Sequence, residues 1–196
     1  MSDWYEAIAV CDVQADESAS VAELVVSRLA ADGIIQPVMD SEAVLGGEGG
    51  YRPGRNIQSF YNLSENEGTF WSLVTNGVEV CAGRWVNRLG FTCFDGFTCP
   101  SCSAHFPLDH DVVADPFARA IGSFLDGGDD LDVVCPSCQT SDAAPKWKTD
   151  PHFGFTNLAF QFWNWPPFDS DSWKVDIPTL ITSTTQHRVI LTYGRL

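Results

Sequence analysis

Cys99-Pro100-Ser101-Cys102 and Cys135-Pro136-Ser137-Cys138 repeat one tetrapeptide within a chain of 196 residues. Each is a C-x-x-C turn that can aim two thiolates at one metal ion, and two such turns complete a tetrahedron around Zn²⁺. The proline after the first cysteine fixes φ in each turn and helps direct both sulfurs inward. Four thiolates leave no coordination position for water, so the spacing predicts a structural zinc site rather than a catalytic one. The alternative, a pair of redox-active dithiols, expects each C-x-x-C after a strand and at a helix start, where the helix dipole lowers a thiol pKa. Neither pair has that context.

Working outward, the stretch between the two pairs is long for a plain ribbon loop. Asp115-Pro116 is a helix opening, and Phe117, Ile121, Phe124 and Leu125 make one apolar stripe that Gly127 closes. The pattern predicts two knuckles joined by a helix-bearing excursion. The insert then covers 92–148, and the main domain is made of 1–91 and 149–196. Cys93 is a spare thiol beside the set, and His105 and His110 stand in only if a cysteine is misplaced. Cys11 and Cys81 fall in expected strands and read as small buried hydrophobes.

In the flanking domain, residues 4–11 (WYEAIAVC) form an apolar run with Ile8 and Val10 on one face and Ala7 and Ala9 on the other. Ser20 and Glu23 form a capping box ahead of Val21, Leu24, Val25 and Leu29, with Gly33 as the stop, which predicts a helix over 20–32. Residues 40–68 are rich in Gly, Ser, Asn and Glu and read as loop. Their glycine-rich part, 46–54, lacks the Lys-Ser/Thr of a phosphate loop. Thr75-Asn76-Gly77 predicts a hairpin turn between Phe70–Val74 and Val78–Val86. Phe155–Trp165 reads as a strand, residues 172–183 as a short helix near Pro178, and His187–Tyr193 as a last strand. The succession predicts an α+β fold, a ferredoxin-like βαββαβ domain carrying a four-cysteine zinc ribbon as an insert.

The residues around the two cysteine pairs, roughly 92–148, resemble the zinc-ribbon or zinc-knuckle class. That resemblance implies bound zinc at the four cysteines and nothing about other residues. The whole chain, with its FGFTNLAFQFWNWPP run (153–167), also resembles bacterial proteins of unassigned activity that carry such an insert.

With 44% hydrophobic residues the chain can bury a core, which excludes global disorder. Its formal net charge of −15 disfavours binding to phosphate backbones. Arg119, Lys146 and Lys148 could form only a local patch. No apolar run approaches the ~18 residues of a membrane span. Met1–Glu6 has neither the basic nor the apolar region of a secretory signal. Seven cysteines, four in zinc spacing, fit a reducing compartment, so a cytoplasmic protein without membrane or nucleic-acid partners is expected.

No H-E-x-x-H, G-x-S-x-G or H-x-E signature is present. His152 and His187 lack a local nucleophile, and Asp129-Asp130 and Asp169/Asp171 are routine loop pairs. The leading expectation is a non-enzymatic, zinc-stabilised acidic module that binds a basic protein partner, as an inhibitor or immunity-type protein would. The alternative is an enzyme or small-ligand binder with a site between the sheet and the glycine-rich loop 46–55. Its candidate contacts are Tyr51, Arg52 and His152 with Trp163, Trp165 and Trp173 of an aromatic cluster that includes Phe168.

Overall fold

The run WYEAIAV becomes β1 (Trp4–Val10), and its two apolar faces make it the interior of a sheet. The computed structural model describes residues 3–45, 47–63, 69–87, 95–150 and 152–195. After β1 come α1 (Ser18–Ala31), β2 (Ile35–Asp40), β3 (Gly50–Pro53), the single-turn α2 (Ile57–Phe60) and β4 (Val78–Val86). Two short hairpins follow, β5 (Phe97–Thr98) with β6 (His105–Phe106) and β7 (Asp132–Val134) with β8 (Ser141–Ala143). Helix α3 (Asp111–Leu125) lies between them. The chain closes with β9 (Phe155–Trp163), α4 (Ile177–Thr185) and β10 (Val189–Arg195).

Among the described residues six strands form one antiparallel sheet in the order β10-β1-β9-β4-β3-β2, with four α-helices, so the fold is α+β with a large antiparallel sheet. This six-strand order differs from the four-strand ferredoxin-like expectation, because β3 lies within the 40–68 stretch read as loop and β2 lies just ahead of it, where no element was expected. β2 hides from sequence patterning. Its Gln36-Pro37-Val38-Met39 stretch is exposed, and Pro37, which cannot donate to a ladder, is tolerated at this sheet edge.

One sheet face carries Ile8, Val10, Val78, Leu158, Phe160 and Phe162 beneath Val25 and Leu29 of α1 and Ile177 and Ile181 of α4. The opposite face is lined by the short side chains of Ala7, Ala9 and Ala159, packed with Tyr5, Trp85 and Trp163. Helix α1 ends in a Schellman motif: Gly33, at φ 75°, donates to the Ala30 carbonyl and Ile34 to that of Leu29. Its start is not the expected capping box. The helix begins two residues earlier, the Ser20 hydroxyl donates to the Glu17 carbonyl, and the Glu17 carboxylate accepts from the Gln14 amide.

The expected 70–86 hairpin is also replaced. Phe70–Ser72 forms one turn of 3-10 helix, and only β4 is a strand. Asn76 is buried and acts as a hub instead of a turn. Its side-chain amide donates to the Phe70 carbonyl, its Oδ1 accepts from Arg52 and its backbone carbonyl accepts from Trp165 Nε1 at 2.6 Å.

Candidate metal centre

Both C-P-S-C turns adopt the same hydrogen-bonded knuckle at the tip of a hairpin. The Ser103 amide donates to the Cys99 carbonyl and the Cys99 amide to the Ala104 carbonyl, at 3.0 and 2.9 Å. In the second turn Gln139 donates to Cys135 and Cys135 to Thr140, both at 2.9 Å. Ser103 and Gln139 sit at the same step of each turn in the left-handed region, at φ 61° and 59°. Two equivalent turns therefore face each other.

The four Sγ atoms lie within 4.8 Å of one another. Cys99–Cys138 are 3.9 Å apart and Cys102–Cys135 3.7 Å. Four sulfurs at ~2.3 Å from a tetrahedral Zn²⁺ would be about 3.8 Å apart, so the donor set and its spacing fit that ion. Cys99 and Cys135 are buried in the apolar base of the module, while Cys102 and Cys138 are exposed.

Proton affinities express the same arrangement. The hydroxyl and backbone amide of Thr140 stabilise the Cys138 thiolate and help hold its pKa down at about 6. The Ala104 amide favours the thiolate at Cys102, but lost hydration and the neighbouring sulfurs of Cys138, Cys99 and Cys135 together outweigh it and push that thiol up to about 12. A bare cluster keeps protons because adjacent thiolates repel, and a cation removes that obstacle.

The scaffold beneath the sulfurs is a second apolar cluster built on Phe97, Phe106, Val113, Phe117, Ala120, Val133 and Trp147. Helix α3 starts one turn before the expected Asp115-Pro116 opening and carries Pro116 inside. Phe117, Ile121 and Phe124 face the module or β9, but Leu125 is 50% exposed and leaves the expected stripe. Residues Gly127 and Gly128 close the helix with a second Schellman motif. Arg84 of β4 ties the module to the sheet, donating to the Phe124 and Gly128 carbonyls with its guanidinium over the Phe124 ring.

His105 and His110 are not among the sulfurs. His105 Nδ1 contacts the Thr98 hydroxyl, and His110 packs edge-on to Phe106. Cys93 lies outside the described residues. Cys11 is buried just past β1, its thiol pKa raised by that burial, and Cys81 is half-buried on β4.

The other candidate contacts have different settings. Trp165 and Trp173 stack in the helix-covered core with Phe168 beside Trp173. Trp163 lies on the opposite face, its Nε1 donating to Glu79. Arg52 is held by Asp40, the Val74 carbonyl and Asn76. Tyr51 borders a notch of about 630 Å³ between β4 and the glycine-rich loop, together with Glu48, Glu79 and Cys81. His152 lines a different cavity with Trp4, Glu6 and Tyr193, which were not candidates in the sequence, and Asp169, which was read there as part of a routine loop pair. The available signal was Glu6 itself, an acid in the same row as Ile8 and Val10.

No family model matches this chain, and no curated protein or solved structure matches it. The resemblance to a bacterial family therefore gains no support, and the likeness to a zinc ribbon rests on the cysteine cluster. Among the described residues no helix is long and apolar enough to cross a membrane.

Proposed function

We propose that this chain is a non-enzymatic interaction module whose four-cysteine centre holds structural zinc and whose zinc-bearing part presents an acidic face to a basic protein. The four sulfurs fill a tetrahedron, so the ion supplies folding energy and no reactive water. Thiolate ligands require reduced cysteines, which supports a reducing, cytoplasmic setting. On this reading residues 92–148 are one metal-dependent unit inserted between 1–91 and 149–196. The remainder is a βαββαβ plan with β2 and β3 added at one edge, a view supported by the order β10-β1-β9-β4 of its other four strands.

The observation that carries the interaction reading is the charge of residues 95–148. They hold aspartates 95, 109, 111, 115, 126, 129, 130, 132 and 142 against Arg119, Lys146 and Lys148. All but Asp142 are exposed, and Asp129 alone of them is ion-paired among the described residues, to Arg84. A zinc tetrathiolate adds about two further negative charges. Such a face steers a cationic partner, as the active-site surface of a basic toxin would require of its inhibitor.

Immobilised protein should retain a basic partner from cell extract at low ionic strength and release it as salt rises through several hundred millimolar. Asp126→Asn/Asp130→Asn/Asp132→Asn should weaken retention without loss of metal. If nothing is retained at low salt, or if retention ignores both salt and the triple substitution, the reading fails. The second reading, a small-ligand binder, is favoured at the notch beside the glycine-rich loop by the approach of Glu48, Tyr51 and Glu79 around one space.

A further inference from the structure

Strand β1 places Glu6 on the face that also carries Ile8 and Val10, directly opposite Tyr193 of β10 on one side and Phe162 of β9 on the other. Ile8 and Val10 are sealed beneath the helices, but Glu6 opens onto a cavity of about 530 Å³ bordered by residues 167–169 of the β9–α4 connection. That size suits a small ligand. Its aromatic lining is Trp4, Phe168 and Tyr193, and its ionisable lining is Glu6 from β1, Asp150 and His152 ahead of β9, and Asp169 after it. No lysine or arginine is among these lining residues.

An uncompensated acid here has a cost. No hydrogen bond or ion pair from any described residue reaches the Glu6 or Asp169 carboxylate; Asp169 is exposed to solvent, so the cost falls on the part-buried Glu6. Burial, and secondarily the Asp169 carboxylate, push the Glu6 pKa up to about 7. Leucine or glutamine at position 6 would pack without that penalty. The missing partner is a positive charge, and the aromatic residues Trp4, Phe168 and Tyr193 border the same space.

We propose that this cavity binds a small organic amine, its ammonium group set between Glu6 and Asp169 and its apolar stem against Trp4, Phe168 and Tyr193. The site is independent of the acidic face on the zinc module and of the partner proposed for it. Two carboxylates supply the charge term, and the aromatic walls supply stem burial and cation–π attraction.

The test uses three probes of one shape in calorimetric titrations of the full zinc-loaded chain: 2-phenylethylamine, neutral 2-phenylethanol and anionic phenylacetate. At pH 8 the amine should bind at least roughly tenfold more tightly than the alcohol, and phenylacetate more weakly than either. Glu6→Gln and Asp169→Asn should each bring the amine down toward the alcohol. Asp126→Asn/Asp130→Asn should leave amine binding unchanged, which separates a local site from general attraction to an acidic protein. Amine affinity should fall from pH 8 to 5.5 as Glu6, with its pKa at about 7, takes up a proton; the other titratable groups facing the cavity are Asp150, His152, Asp169 and Tyr193. Equal binding of amine and alcohol, a charge preference that survives Glu6→Gln/Asp169→Asn, or no amine binding at 10 mM would overturn the proposal.

Discussion

The sheet region and the cysteine module are held together by different means. Beneath α1 and α4 the sheet buries a continuous set from Ile8 to Trp165, several of them fully enclosed aromatics and β-branched residues. The module's own cluster is smaller, and two of its buried members are Cys99 and Cys135. Hydrophobic burial scales with the area removed from water, so the first region is stabilised by its own side chains. The second has short strand pairings and one helix, and completes its core with sulfurs that repel one another once ionised. On the proposed zinc reading, one chain combines a self-sufficient core with a part whose folding would depend on an ion.

The largest expected effect comes from stripping the ion. A strong chelator, or Cys135→Ser, removes an apparent binding energy on the order of 10 kcal/mol. Hydrogen exchange should then speed up by more than a thousandfold at the Ser103 and Gln139 amides, while β1 and β9 stay protected. Loss of protection in both regions together would abolish the distinction.

Next in size is Trp165→Ala. Trp165 is fully buried and stacks on Trp173, so truncation should cost about 3–5 kcal/mol in denaturant unfolding of the sheet. Bound zinc should stay at one equivalent under native conditions. Zinc loss in this variant would mean that the module leans on the sheet core.

Glu6→Gln should act in the opposite direction and depend on pH. The folded pKa of Glu6 is about 7 against an ordinary 4.5, so its protonated form favours the fold. That contribution is complete below about 4.5 and is lost as pH rises through about 7. Discounted for partial exposure, the ionised carboxylate costs on the order of 2 kcal/mol at pH 8, so the substitution should raise Tm there by about 4–8 °C. At pH 4 it should change little. An equal shift at both pH values would assign the effect to packing.

Smallest is Arg84→Ala, which cuts the tie between the regions. Losing two hydrogen bonds to carbonyls at the end of α3 and the stacking on Phe124 should cost about 1–2 kcal/mol. Differential scanning calorimetry should show the module's transition separating from that of the sheet. An unbroken single transition would place the coupling elsewhere, for example at Phe117 and Phe155.

What the sequence disclosed follows the same division. The four-cysteine cluster was legible because C-x-x-C spacing is a local constraint, and β1, α1 and β9 because their apolar residues recur at the right period; α4, expected over 172–183, runs Ile177–Thr185, and β10, whose Leu191 and Tyr193 are exposed, runs Val189–Arg195. Strand β2 was not legible, since its side chains face solvent and nothing apolar alternates along it. Asn76-Gly77 misled because its turn propensity yields to partners distant in sequence, Trp165 and Trp163, whose N–H groups use the Asn76 and Gly77 carbonyls. Residues around Glu6 are far apart in the chain, and pairing of β1 with both β10 and β9 brings them together.

X-ray absorption at the zinc edge of the purified chain tests the central claim most directly. One zinc per chain with four sulfur scatterers at about 2.3 Å and no lighter ligand is the expected result. A nitrogen or oxygen in the first coordination sphere, fewer than four sulfurs, or metal-free protein with oxidised cysteine pairs would contradict it.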